Sequence, residues 1–170
     1  MSGNISKEFS ISKLRAVMDS VINTGGEFKM ISRGTSMLPM LRNGVDTVAI
    51  VKKDGKLKVG DVPLYIRENG EYVLHRIIKV KKDGYVLRGD NQTVSEYPVT
   101  DERIVGVLTA YIKDGKRIEC TDFKYRVYSF YVVHFMPLRL FYKRSVSFAR
   151  RILGFGKRIL RKIKRTILKK

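Results

Sequence analysis

The chain has 170 residues, of which 35 are Lys or Arg and 16 are Asp or Glu, for a net charge of +19 with a single cysteine. That length suits one domain with a real core plus an appendage, and one cysteine excludes an intrachain disulfide, a Cys-x-x-Cys pair and a cysteine cluster for zinc. The charge is no nucleic-acid signature of the whole molecule, because residues 123–170 hold 15 of the basic residues and none of the acidic ones, which leaves the first 122 close to balance.

At the N-terminus, charges at Lys7, Glu8, Lys13, Arg15 and Asp19 exclude the apolar core of a signal peptide. Leu14, Val17, Met18, Val21 and Ile22 recur at helical spacing, with Ser10 or Ser12 available as a cap and Gly25-Gly26 as the stop. One short amphipathic helix is expected over this segment. It is too little for a helix-turn-helix, which needs a second helix before Gly34.

From Glu27 to Cys120 the pattern changes to short β-rich runs: Phe28–Ser32, Asp46–Lys52, Val62–Arg67, Tyr72–Lys81, Tyr85–Arg88, Ile104–Lys113 and Lys116–Cys120. Between them stand Asn43-Gly44, Asp54-Gly55, Asn69-Gly70, Asp83-Gly84 and Asp114-Gly115, dipeptides in which glycine tolerates the positive φ of tight hairpins. The expected fold is mainly β: a coiled antiparallel sheet or barrel-like core behind one N-terminal helix.

After Asp122 the composition shifts again. Tyr125 to Tyr142 is rich in aromatic and apolar residues, interrupted by His134, Pro137 and Arg139. Phe148, Ile152, Phe155, Ile159, Ile163 and Ile167 then form a stripe with Arg158, Lys162 and other cations between them, which predicts a basic amphipathic helix at the C-terminus. The expected organisation is a helix over 1–26, a β-rich domain over 27–122 and a tail over 123–170. No run of about 18 apolar residues appears, which argues against an ordinary transmembrane helix.

Chemistry is expected first at Gly34-Thr35-Ser36-Met37-Leu38-Pro39, where a serine follows glycine at the end of an apolar run. A serine nucleophile needs a tight turn that projects its Oγ, a base to remove its proton and a backbone N–H free to hold an oxyanion. Of two histidines, His75 lies in the strand Tyr72–Ile78 beside Val73 and Ile77, where it is either a hydrogen-bonded core residue or the base. Asp90, in Arg88-Gly89-Asp90-Asn91, is either a turn residue or the carboxylate that orients the imidazole.

In order, Gly34-x-Ser36-Met37-x-Pro39, Gly60-Asp61-Val62, Tyr72-Val73-Leu74-His75-Arg76-Ile77, Arg88-Gly89-Asp90-Asn91 and Ile104-Val105-Gly106 resemble the signal peptidase I family. The wider group includes the self-cleaving LexA-type repressors. The resemblance spans roughly residues 30–110 and implies a serine peptidase on a β-rich, LexA-like scaffold, with no metal or cofactor. Many members use a lysine base. His75 stands at that place here, as in the archaeal and endoplasmic-reticulum type, so a Ser36–His75 pairing is implied. Asp90 matches the family's Gly-Asp-Asn aspartate and Glu96 falls where the histidine-type enzymes place another acidic residue, so either carboxylate is a candidate third member.

Where many bacterial members have a hydroxyl two positions before the nucleophile, this chain has Gly34. The oxyanion hole is therefore expected to use backbone N–H groups around Gly34, Thr35 and Met37. Pro63 removes a ladder donor and suggests an edge or a bulge, which makes Val62 and Leu64 candidate contacts for a peptide added as an extra strand. The family's usual N-terminal anchor has no counterpart in Leu14–Ile22. The expectation is a peripheral or monotopic enzyme, otherwise cytoplasmic, that acts on a peptide or preprotein. Phe148, Ile152, Phe155, Arg158 and Lys162 would hold it on an anionic membrane, and nucleic acid is disfavoured as a partner. The alternatives are a LexA-type self-cleaving regulator and a catalytically inactive binding module of the same fold.

Overall fold

The computed structural model describes residues 15–135. The chain divides into two compact units, Met1–Val133 and His134–Lys170, and the basic stripe from Phe148 to Ile167 lies outside the described residues. Helix α1 (residues 15–23) leads into strands β1 (Phe28–Ile31), β2 (Thr47–Val51), β3 (Pro63–Ile66), β4 (Tyr72–Leu74), β5 (Arg76–Lys81) and β6 (Gly84–Arg88). Strands β7 (Glu96–Val99), β8 (Ile104–Lys113) and β9 (Lys116–Glu119) follow, then helix α2 from residue 123. The fold is mainly β and antiparallel throughout, as the alternation of short runs and Gly turns leads one to expect.

Two sheets share the work. The larger runs β1-β2-β8-β3-β4, with β9 pairing the far half of β8, and the smaller runs β5-β6-β7. Strand β8 is the axis: β2 lies along one side, while β3 pairs its beginning and β9 its end on the other. Alternation along β3 then divides the interior. Leu64 enters a core with Met18 and Ile22 of α1, Met37, Met40, Leu41, Ile50, Leu108 and Tyr125, while Tyr65 enters a second core with Ile77, Tyr85, Leu87 and Val99 of the smaller sheet.

Three expectations change. The run Tyr72–Lys81 is not one strand: it breaks at His75, where the chain leaves the larger sheet and enters the smaller one. Strand β3 is not an edge, since β8 and β4 flank it, although the β3–β8 register does shift between Leu64 and Tyr65. Val62 and Leu64 are core residues, 1% and 3% exposed, which removes them as contacts for an added strand. Tyr125, Ser129 and Val132 of α2 are buried, and the first unit runs to Val133.

What draws α2 onto the β core is Arg76. Its guanidinium, with no exposed surface, donates Nε to Asp90 Oδ1 at 2.9 Å and Nη2 to Asp90 Oδ2 at 2.8 Å. Nη1 donates to Gly60 O and to the hydroxyls of Tyr125 and Ser129, at 2.9, 3.1 and 2.9 Å. The rings of Tyr125 and Tyr128 flank the cation, and Tyr128 Oη donates to the second Asp90 oxygen at 3.0 Å. A buried ion so completely bonded tolerates no missing partner. Asp90→Asn is therefore expected to lower unfolding free energy by about 3–5 kcal/mol, whereas Tyr128→Phe, which removes a single hydrogen bond, costs about 1 kcal/mol. Denaturant titration of the two variants checks the ratio.

Candidate active site

Ser36 sits on a turn whose neighbours hold it from both sides. Met37, Met40 and Leu41 plug the first core, and Leu41 N–H donates to Met37 O at 3.0 Å, which closes the turn behind the serine. From the other side comes the Gly-Asp-Asn loop after β6. Asn91 N–H donates to Ser36 O at 2.7 Å and Asn91 Nδ2 to Thr35 O at 3.3 Å. Gly89 lies so close that a Cβ there would fall 2.7 Å from Ser36 O and 2.9 Å from Ser36 Cβ. Glycine is required at this position by contact with the serine turn, not by backbone conformation.

One of the expected backbone donors is already engaged. Gly34, at φ +90°, gives its N–H to Asn43 Oδ1 at 2.8 Å and serves to bend the chain into the turn. Thr35 is exposed and contributes its carbonyl to Asn91. Met37 is 4% exposed and belongs to the core. Among the described residues the N–H groups of Thr35, Ser36 and Met37 all lack an acceptor, so each stays open to a developing oxyanion.

His75 occupies the seam between the two sheets and is 1% exposed. Its N–H reaches Pro63 O at 3.4 Å, and its ring nitrogen Nδ1 lies 3.1 Å from Tyr65 Oη and 3.4 Å from Glu96 Oε1. No hydrogen bond joins the ring to Ser36 Oγ, and the ring contact that is formed is to Tyr65 Oη. Glu96 opens β7, a strand that the sequence patterns do not reveal, and Arg67 clamps it: Nε donates to Oε2 at 3.0 Å and Nη2 to Oε1. Asp90 makes no such contact. Both of its oxygens are taken by Arg76 and Tyr128, so of the two candidate carboxylates the structure brings Glu96 to the imidazole and reserves Asp90 for the buried cation.

Electrostatics at the imidazole follow from burial. Desolvation pushes the His75 pKa down to about 4, opposed by the charge of Glu96, reinforced by Arg67 and opposed again by Asp90. The Arg67 hydrogen bonds hold Glu96 below the usual carboxylate range against the effect of its own burial. At neutral pH the site therefore presents a neutral imidazole beside an ionised carboxylate, a pair able to accept a proton and stabilise the cation that results. Cys120 is no rival nucleophile, since burial raises its thiol to about 11. Among the described residues no group of His, Cys, Asp and Glu side chains could hold a metal ion.

A histidine whose folded pKa is depressed stabilises the protein above its ordinary value of 6.5, and that stability is lost as pH falls through 4. Acidification from pH 6.5 to 4 is expected to cost about 3 kcal/mol through this group. Denaturant midpoints measured across that range should show the loss in the native chain and a smaller one in His75→Gln. Gly89→Ala is expected to cost about 1–3 kcal/mol in stability through its clash with the serine turn.

None of the curated proteins matches the chain. The family model described as Peptidase S24-like matches residues 7–109, which takes in α1, the Ser36 turn, His75 and the Gly-Asp-Asn loop. That span is more than half of the chain, and the protein belongs to the Peptidase S24-like family.

Proposed function

We propose that this protein is a serine endopeptidase of signal-peptidase type that cleaves signal or leader peptides at a membrane surface by a Ser-His mechanism. Ser36 attacks the scissile carbonyl, His75 takes the hydroxyl proton and returns it to the leaving amine, and Glu96 stabilises the imidazolium formed in between. The N–H of Ser36 contributes to the oxyanion hole. The observation that carries the reading is the pairing of a buried, neutral His75 with an ionised Glu96 on the scaffold that also bends Ser36 into a turn. A core histidine placed only for packing has no need of a carboxylate clamped by Arg67.

The membrane part rests on the tail and on α2. Residues 123–170 carry 15 cations and no anion, and the first turns of α2 direct Phe123, Val127, Phe130 and Tyr131 outward at 50–79% exposure. Aromatic side chains followed by a basic stripe suit the interface of an anionic bilayer, where each cation adds about 1 kcal/mol. Among the described residues no helix is long and apolar enough to cross a membrane.

A second reading follows from the family match: a LexA-type regulator that cleaves its own chain. Incubating the purified protein at rising pH separates the two, since intramolecular fragments would favour the regulator. A binding module without activity would leave Ser36 unlabelled by a serine-reactive probe.

Ser36→Ala and His75→Ala are each expected to abolish cleavage of a leader-peptide substrate, with loss of about 10³-fold or more in rate and an unchanged fold. Full activity in either variant overturns the mechanism. For the native chain the acid limb of the pH–rate profile should fall near 4 and not near 6.5, because the imidazole must be neutral to act. For the tail, the full-length protein should float with anionic vesicles and fail to float with neutral ones, and binding to DNA with no binding to either vesicle would remove the membrane reading.

A further inference from the structure

Two oxygens face His75 Nδ1, and charge decides which way each hydrogen bond runs. Glu96 is ionised through its Arg67 contacts and can only accept. Tyr65 is fully buried, and burial together with the nearby Glu96 carboxylate raises its phenol well above the ordinary range, so it keeps its proton. An ionised oxygen 3.4 Å from Nδ1 repels a lone pair there and favours a proton on that nitrogen, so Nδ1–H is the donor and Tyr65 Oη accepts from it at 3.1 Å. The resulting arrangement sets Nδ1–H against Tyr65 Oη and against the carboxylate that Arg67 clamps. It fixes the neutral imidazole as the Nδ1-protonated tautomer and puts the free lone pair on Nε2, which is what removal of a serine proton requires.

We propose that Tyr65 and Arg67 are positioning residues of this site: Tyr65 selects the tautomer of His75, and Arg67 holds Glu96 ionised beside the ring. The inference rests on His75 as the general base of Ser36, yet its direct readout is the state of the ring and does not depend on turnover. Neither residue need touch substrate. Tyr65 is buried in the second core and Arg67 is tied to Glu96 and, at 3.0 Å, to Glu71.

The test uses the full chain with ¹⁵N-labelled histidine, in which His134 is the only other histidine and serves as the internal control. The charged or titratable groups acting on His75 are Tyr65 of β3, Arg67 just after it, Glu96 of β7 and Asp90 after β6. In the native chain Nδ1 should show the shift of a protonated nitrogen and Nε2 that of a free one. Tyr65→Phe, checked for folding by its melting curve, should shift the ring toward a tautomer mixture and lower kcat about tenfold with KM within about twofold. Arg67→Met removes a cation and should raise the His75 pKa, whereas Glu96→Gln removes an anion and should lower it.

Opposite shifts in the last two variants, with the tautomer change in the first, support the proposal. Unchanged nitrogen shifts in Tyr65→Phe overturn it even if cleavage is lost, because the hydroxyl would then act elsewhere. So do shifts of one sign, or none, in Arg67→Met and Glu96→Gln. If Ser36→Ala retains cleavage, the peptidase mechanism fails by itself while the ring measurements still decide what Tyr65 and Arg67 do.

Discussion

A guanidinium with no exposed surface has to be neutralised and bonded in full, and Arg76 imposes that demand on everything around it. To meet it, the loop after β6 brings Asp90, the turn before β3 brings Gly60 O, and α2 brings Tyr125 and Ser129. Met40, four residues beyond Ser36, closes the far side at 3.2 Å from Nη2. Four segments far apart in the chain are thereby held around one ion. Two of them, the serine turn and the Gly-Asp-Asn loop, also bond to each other through Ser36 O and Asn91 N. The position of the candidate nucleophile is thus tied to a buried charge pair.

The same constraint explains the division of labour between the two carboxylates. His75 and Arg76 are consecutive at an extended seam, and successive side chains of extended backbone leave on opposite sides. Arg76 enters the side of the first core, with Met40 and Tyr125, and takes Asp90 with it; His75 enters the side of Tyr65 in the second core and meets Glu96 there. One aspartate cannot serve both faces. Burial on the second side keeps the imidazole neutral, and the Arg67 clamp keeps Glu96 charged although partly buried, so the two groups are driven to the states that acid–base work needs.

Much of the fold could be read from local pattern. Hairpin turns at Asn69-Gly70, Asp83-Gly84 and Asp114-Gly115 have their glycines at positive φ, whereas Asp54-Gly55 falls in the connection from β2 to β3, strands that do not pair; Met18 and Ile22 of the predicted helix are buried. What pattern misses has a physical cause in each case. Strand β7 is four residues with a proline inside and no alternation to reveal it. Pro63 suggests an edge, but it is the first residue of β3, where the missing N–H costs no ladder bond that the strand needs. Helix α2 reads as the start of a tail because its aromatic residues outnumber its polar ones. Tyr125 and Ser129 meet Arg76 across 49 and 53 residues of chain, a contact no local window contains.

For the candidate site the sequence by itself determined the residue types: a serine in a Gly-bounded turn, one histidine on a β segment, and two carboxylates near the end of the next strand. It also pointed to the wider peptidase group that includes the S24-like family, because the order of those blocks along the chain is a one-dimensional property. Which carboxylate meets the imidazole was decided only by tertiary structure, as were the engagement of the Gly34 N–H by Asn43 and the placing of Tyr65 and Arg67 beside His75 and Glu96. Each of these depends on the face from which a side chain leaves the backbone at a break between two sheets. A break of one residue reverses that face, and its place is fixed by packing on both cores at once.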